Sequence, residues 1–373
     1  MAETAHEGSV RQRAAMVLSA VRGLLAEPSD SEDDPYRRVI LNRLPDAAPA
    51  SAVLLRLELP PSADASPEQV RDGVRPAVER CRADHGHAPR LISVEGVGLF
   101  EVARHPATDA RPLENKVALV TGAAGAIGAG VCRGLLDKGC RVVATDVVPE
   151  ALNELVGELS GVAGVRMDVT DPASVAAAFA DAAFRWGGVD IVVVNAGIAM
   201  VAPLMELDIE AFRRLERVNV EGTLLTLAEA GRWFSRQGTG GDIVLVSTKN
   251  VFAPGAQFGA YSATKAASHQ LARIASLEFA PLGVRVNMVA PDAVFSDGKR
   301  KSGLWAEVGP SRMRARGLDE KGLEEYYRGR NLLKARVTAR HVANAVLFFV
   351  TRQTPTTGAT IPVDGGLPDA TPR

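Results

Sequence analysis

Two patterns of hydrophobic and polar positions divide this chain. From Lys116 onward, short β-branched and apolar runs alternate with alanine-rich stretches of helical spacing: Val117–Val120, Arg141–Thr145, Val165–Met167, Ile191–Val194, Ile243–Val246, Val284–Met288 and Thr360–Val363. Strands that are apolar on both faces and separated by helices predict an α/β domain, a doubly wound parallel sheet covered on both sides, over residues 116–373. Before it the pattern is that of a small α+β region, residues 1–105. Ala52–Leu59 reads as a strand, Pro67–His85 as a helix, and Arg90–Arg104 as two strands joined through Glu95-Gly96. Arg11–Ala26 is predicted to be an amphipathic helix. The acidic, proline-bracketed run Glu27–Pro35 and residues 106–115 read as linkers, the first of them flexible.

Composition narrows the function classes. The 373 residues carry a net charge of −1, 46% hydrophobic and 23% charged residues. Nucleic-acid and membrane-surface binders need a positive excess that is missing here, so neither partner is expected. The longest uncharged stretch, Ile191–Met205, is interrupted by Asn195, Gly197 and Pro203, so no membrane span is expected. Arg22 breaks the apolar run of the N-terminal helix and no small-residue cleavage site follows, which excludes a targeting segment. Three scattered cysteines suit a reducing compartment, and the expected location is cytoplasmic. His85 and His87 have no Cys, Asp or Glu at ligand spacing, so no metal site is expected.

The chemistry-bearing motifs sit at the ends of the predicted strands. The first strand runs into Thr121-Gly122-Ala-Ala-Gly125-Ala126-Ile127-Gly128, followed by a helix. This strand–turn–helix context is that of a Rossmann-type dinucleotide site, where glycines admit the pyrophosphate to a helix N-terminus. Asp146 follows Gly128 by 18 residues, at the end of the second strand. A carboxylate there accepts ribose hydroxyls and repels a 2′-phosphate, which favours NAD over NADP. Tyr261 and Lys265 are four apart, on one face of a helix that follows the fifth strand. A phenol with a pKa of about 10 becomes a usable acid/base beside a fixed ammonium.

Taken together, these motifs resemble the short-chain dehydrogenase/reductase family over about Lys116–Gly366. The matching residues are TGAAGAIG, Asp146, Asp168-Val169, Asn195-Ala196-Gly197, Asn219, Ser247-Thr248, YSATK, Pro291 and Val363–Gly366. The resemblance implies that Tyr261 is the acid/base and that Lys265 binds the nicotinamide ribose and lowers the phenol's pKa. Thr248, 13 residues before the tyrosine, would orient the substrate hydroxyl, and Asn219 would hold a water linking Lys265 to solvent. Asp168 and Val169 would flank adenine. Asn195, Ala196, Gly197, Pro291 and Val294 would line the cofactor cleft. Three positions depart from the family pattern: Thr248 replaces a serine, Ala126 a glycine, and Asp292 the glycine after Pro291.

The runs Ser247–Gly255, Ala290–Phe295, Arg330–Thr338 and Thr356–Gly366 are similar to the dehydrogenase half of bifunctional class II aldolase/short-chain dehydrogenases. Pro89–Arg104 resembles the last hairpin of their aldolase domain, which makes residues 1–105 an aldolase remnant serving packing or assembly. Ser296–Arg336 is a long insert expected to cover the substrate. It carries Lys299, Arg300, Lys301, Arg312, Arg314 and Arg316, then Arg328 and Arg330. These basic residues suit either a pocket for a polyhydroxylated or phosphorylated substrate or a solvated lid. Lys249, Asn250 and Asp292 are the candidate substrate contacts. The expected activity is NAD-dependent hydride transfer to or from a secondary alcohol or ketone of a sugar, polyol, cyclitol or related hydroxy compound, in a homodimer or homotetramer. The alternatives are an NAD-retaining epimerase or dehydratase and a non-catalytic cofactor-binding protein.

Overall fold

An all-round apolar stretch, Ala14–Val21, forces the N-terminal helix into the interior. In the computed structural model, which describes residues 2–45, 54–60, 62–104, 111–297 and 300–367, this helix is α1 (Ala2–Leu25). Every residue from Ala14 to Arg22 is buried, so α1 is not the amphipathic surface helix that its spacing suggests. It is sandwiched between a small sheet and helices of the larger unit. The small sheet consists of β1 (Ile40–Leu44), β2 (Leu54–Leu57), β3 (Leu91–Val94) and β4 (Gly98–Ala103), in the order β1-β4-β3-β2. Helix α2 (Pro67–His85) makes the crossover between the parallel strands β2 and β3. Ser66 and Gln69 close a capping box at its start, and Gly86, at φ 70°, ends it. Ala52 and Val53 of the expected strand, residues 106–110 of the expected linker, and Lys299 lie outside the described residues.

The larger unit is built on seven parallel strands: β5 (Val117–Thr121), β6 (Arg141–Asp146), β7 (Val162–Arg166), β8 (Ile191–Val194), β9 (Gly241–Val246), β10 (Val284–Pro291) and β11 (Thr360–Val363). Their order is β11-β10-β9-β8-β5-β6-β7, the doubly wound arrangement expected from the sequence. One face carries α3 (Ala126–Asp137), α4 (Pro149–Glu158) and, later in the chain, the helix Ala339–Val350. The other carries α5 (Pro172–Trp186), then α6 (Ile209–Leu215), α7 (Gly222–Gln237) and α8 (Gly259–Glu278). The insert after β10 forms a two-residue ladder, Ser296–Asp297 with Arg300–Lys301, and then α9 (Gly303–Arg316) and α10 (Glu320–Arg330). The last helix is α11 (Ala339–Val350).

Strand β7 begins three residues earlier than its apolar pattern, because Gly164 dilutes that pattern. A Cβ at Gly164 would lie 2.8 Å from Val156 Cγ2, so the glycine lets α4 approach the strand.

The two units share one core. Met16, Leu18, Val21, Ile92 and Phe100 belong to the same buried cluster as Phe179, Leu227 and Trp233. Glu27–Pro35 is accordingly not a flexible linker. Glu27–Pro28 pairs with Tyr36–Arg37, and Asp33 and Asp34 between them find cations of the larger unit, Asp33 with Arg285. Asp34 bridges Arg38 (2.6 Å), Lys116 (2.7 Å) and Arg352 (3.1 Å). Arg352 also binds Asp242, and Arg38 reaches Asp190. Burial alone would raise the Asp34 carboxyl, but these three cations hold it far below the ordinary carboxylate range.

Candidate active site

The strand order reverses between β5 and β8, and a cleft of about 1060 Å³ opens there along the carboxyl ends of the strands. Strand β5 delivers the glycine-rich turn. Gly122 has φ 60°, and a Cβ on it would come within 2.8 Å of Ala196 Cα, so only glycine fits. Thr121 Oγ1 accepts the backbone N–H groups of Asn195 and Ala196, both at 2.9 Å. The Asn195 amide donates back to the carbonyls of Thr121 and Gly122. Asn195 thus shapes the turn as well as lining the cleft. Helix α3 starts at Ala126, with Gly125 as a cap that offers no side-chain bond, which leaves its first N–H groups for an anion. Ala126 is 2% exposed, so its methyl is accommodated within the protein.

Asp146 ends β6 at the cleft. Its carboxylate accepts Ala124 N–H (3.0 Å) and Val148 N–H (3.1 Å), which fixes the group and leaves lone pairs free. Asp168 holds its own turn by accepting from Thr170, and Val169 packs beside it. This set of an uncapped helix N-terminus, a glycine turn and an aimed carboxylate fits a dinucleotide.

Strand β9 and helix α8 deliver the second half. Thr248 follows β9 and caps a short turn, its Oγ1 accepting Asn250 N–H at 3.3 Å. Tyr261, in the first turn of α8, faces the same cleft as Thr248. Burial pushes the phenol up to about 12, against which the Thr248 hydroxyl pulls down and Asp292 pushes up. Lys265, one turn on, donates to the Val246 carbonyl at 2.7 Å, and burial lowers it to about 8. The expected depression of the phenol by Lys265 is therefore not a property of the protein alone. Asp292 sits just past β10 and is pushed up by burial, with Arg330 and Lys249 opposing. The next residue, Ala293, takes φ 38°, so the special backbone of the turn falls one position beyond the family's glycine.

Every sequence-predicted cofactor and substrate residue lines this one cleft, as do Thr248, Tyr261 and Lys265. Asn219 does not. It lies in a π-helical turn, Glu216–Glu221, and its side chain is spent on structure. Oδ1 accepts Ile198 N–H, while Nδ2 donates to Ile198 O and Thr264 Oγ1. Its carbonyl accepts from Thr223 and Ser268, so Asn219 braces α8 against the loop after β8, which carries Gly197 and Ile198. Sequence reasoning missed His269 and its contact with Ser247, Oγ to Nδ1 at 2.9 Å, since nothing local marks a pair 22 residues apart.

The short chain dehydrogenase family matches residues 116–307. The chain belongs to that family. Among its relatives is an uncharacterised oxidoreductase, YuxG of Bacillus subtilis, 37% identical over 265 residues, which are 69% of this chain but only 38% of that longer protein. The cis-4-hydroxycyclohexanecarboxylate dehydrogenase of Sinomonas cyclohexanicum is 41% identical over 52% of this chain and 78% of its own length. Sorbitol and D-threitol dehydrogenases also match, each at 35% identity. Among solved structures, 3-ketoacyl-(acyl-carrier-protein) reductase of Brucella melitensis complexed with NADH aligns with a TM-score of 0.60 at 26% identity, over 68% of this chain and 98% of that one. Among the described residues of this short-chain dehydrogenase family member, no helix is long and apolar enough to cross a membrane.

Proposed function

We propose that this protein is an NAD-dependent dehydrogenase that transfers hydride between NAD and a secondary alcohol or ketone of a sugar, polyol, cyclitol or related hydroxy compound. The convergence of Tyr261, Thr248 and Lys265 in one cleft at the carboxyl edge of the sheet carries this reading. Relatives named for sorbitol, D-threitol and a hydroxycyclohexane acid support the substrate class. The Asp146 carboxylate at the end of β6 supports NAD over NADP.

The cofactor, when bound, supplies the hydride acceptor and a positive charge near the phenol. The protein's own part is proton handling and orientation. Tyr261 Oη takes the carbinol proton as the C–H bond breaks and returns it in the reverse direction. Thr248 Oγ1 holds the same oxygen by a hydrogen bond, its second lone pair fixed by Asn250 N–H. Lys265 supplies the charge that favours phenolate.

Residues 1–105 are read as a non-catalytic packing element, and this reading fails if the purified chain binds a stoichiometric divalent metal and cleaves a sugar phosphate. Assembly into a homodimer or homotetramer belongs to the same proposal. The exposed Leu224, Ile274 and Leu277 are the apolar surface such an assembly would cover.

The decisive experiment screens sugars, polyols, cyclitols and hydroxy acids with NAD and with NADP, following NADH absorbance. Tyr261→Phe is expected to abolish turnover while NAD still binds. Substantial residual turnover in that variant would refute the mechanism.

A further inference from the structure

The substrate end of the cleft is unusually rich in cations without ion-pair partners. Lys249, Arg312, Arg316 and Arg330 all line it. Among the described residues, none of the four has a carboxylate within 4.0 Å. Elsewhere in the insert Arg328 pairs with Glu325, Arg336, just beyond α10, with Glu324, and Lys301, which also lines the cleft, with Glu320. Carboxylates are thus available in the segment, yet none of them pairs with Arg312, Arg316 or Arg330.

The arginines are also held ready. Arg312 is 7% exposed, with its guanidinium over the Phe258 ring at 4.3 Å and one donor on the Ala256 carbonyl. Its Nε is buried without a partner. An arginine that has lost its water and left a donor unmatched is costly unless a ligand completes it. Arg330 lies over Tyr327 and Arg316 over Tyr326, so ring faces fix both guanidinium planes and leave their edges free. Opposite them stand two acceptors: the Asp292 carboxylate, and the Asn250 Oδ1, which is itself buried and unpartnered.

We propose that the substrate is anionic: a hydroxylated compound whose carboxylate or phosphate is gripped by Arg312 and Arg330, with Lys249 and Arg316 adding charge and Asp292 and Asn250 accepting its hydroxyls. This deepens the dehydrogenase reading of the same site and rests on it. The dinucleotide's phosphates do not account for these cations. They belong at the N-terminus of α3, on the β5–β6 side of the cleft, whereas the four cations come from the β9 turn and the lid. Guanidinium forks suit carboxylate and phosphate oxygens alike.

The test is calorimetric binding to the full chain saturated with NAD, using xylitol, xylonate and xylitol 5-phosphate. These share a carbon skeleton and differ in charge. At least one anion is expected to bind about tenfold or more tighter than xylitol. Tighter xylonate identifies a hydroxy acid, and tighter xylitol 5-phosphate a phosphate ester. Arg312→Gln and Arg330→Gln are each expected to erase that preference with NAD affinity unchanged, and the outward Arg328→Gln to preserve it. If Arg312→Gln fails to fold, the half-buried Arg330 carries the test. Equal binding of xylitol and both anions, binding of no anion, or a preference that survives Arg330→Gln overturns the proposal. NADH formation, followed in parallel, separates the two readings. Anion binding without any NADH from the wider screen sinks the dehydrogenase assignment alone. NADH from neutral polyols with no anion preference sinks this inference alone.

Discussion

Arg22 and Asp190 clasp each other through two parallel bonds, Nη1 to Oδ1 at 3.0 Å and Nη2 to Oδ2 at 2.7 Å, with both side chains no more than 2% exposed. Arg22 belongs to α1, and Asp190 stands at the entry to β8. Nε and Nη2 of the arginine also donate to the carbonyls of Val39 and Asn115, so all three nitrogens of the group are bonded. Removing Arg22 strips Asp190 of two bonds in a dry core and leaves it with Arg38, at 3.1 Å, as its remaining cation. Arg22→Met is therefore expected to lower unfolding free energy by about 3 kcal/mol, the low end for breaking a buried pair. The double variant Arg22→Met with Asp190→Asn should recover part of that loss. Urea denaturation followed by circular dichroism measures both. A single variant as stable as the wild type would mean that the clasp is decoration.

Asp34 makes the same junction sensitive to acid. Its folded-state pKa lies far below the ordinary 3.8, because Arg38, Lys116 and Arg352 outweigh the opposing effect of burial. A depressed carboxyl stabilises the fold above its unfolded pKa and loses that contribution as pH falls through the folded value. Stability should thus decline below about pH 4, where the unfolded chain takes up a proton that the native chain refuses. Asp34→Asn is expected to cost roughly 2 kcal/mol at pH 7 and to flatten the acid limb. Thermal melts of both proteins from pH 7 down to pH 2.5 decide this, and parallel curves would rule Asp34 out.

Most of the catalytic unit was legible because its signals are local. A glycine turn between a strand and a helix, Asp146 at the next strand end, and Tyr261 with Lys265 on one helical turn each announce themselves within a few residues. The N-terminal region was not. Glu27–Pro35 is polar and proline-bracketed, as linkers are, yet its partners Lys116 and Arg352 lie far away in sequence. Arg22 reads in the sequence only as a break in the apolar run of its helix, while its partner Asp190 comes 168 residues later. Asn219 is marked by its motif, but the bonds its side chain makes to Ile198 and Thr264 come from the fold and have no local signal.

Asp146 tests the cofactor preference. Its two backbone bonds hold the carboxylate where an adenosine ribose belongs, and a 2′-phosphate placed there would meet its charge. Asp146→Ser is expected to shift the ratio of NAD to NADP affinity toward NADP by about tenfold or more, a change of about 1.4 kcal/mol. Fluorescence titration with the two reduced cofactors measures the ratio. A wild-type protein that already prefers NADP, or a ratio unmoved by the substitution, would remove Asp146 from the cofactor assignment.

The pH dependence of oxidation tests Tyr261 itself. In the protein alone burial holds the phenol at about 12, too high for a base at neutral pH, and Lys265 sits near 8. The working phenolate must therefore be made when cofactor charge joins Lys265 at the site, so kcat should rise with pH through an apparent pKa below 12. The Thr248 hydroxyl lowers the phenol's pKa, so Thr248→Val should move that rising limb to higher pH, whereas Thr248→Ser should leave it in place. Lys265→Met should move it further and cut kcat by about 10²–10⁴-fold. A purely structural role for Thr248 would change the amplitude of the profile without moving its limb. A limb that stays fixed in both Thr248→Val and Lys265→Met would mean that the titrating base is not Tyr261.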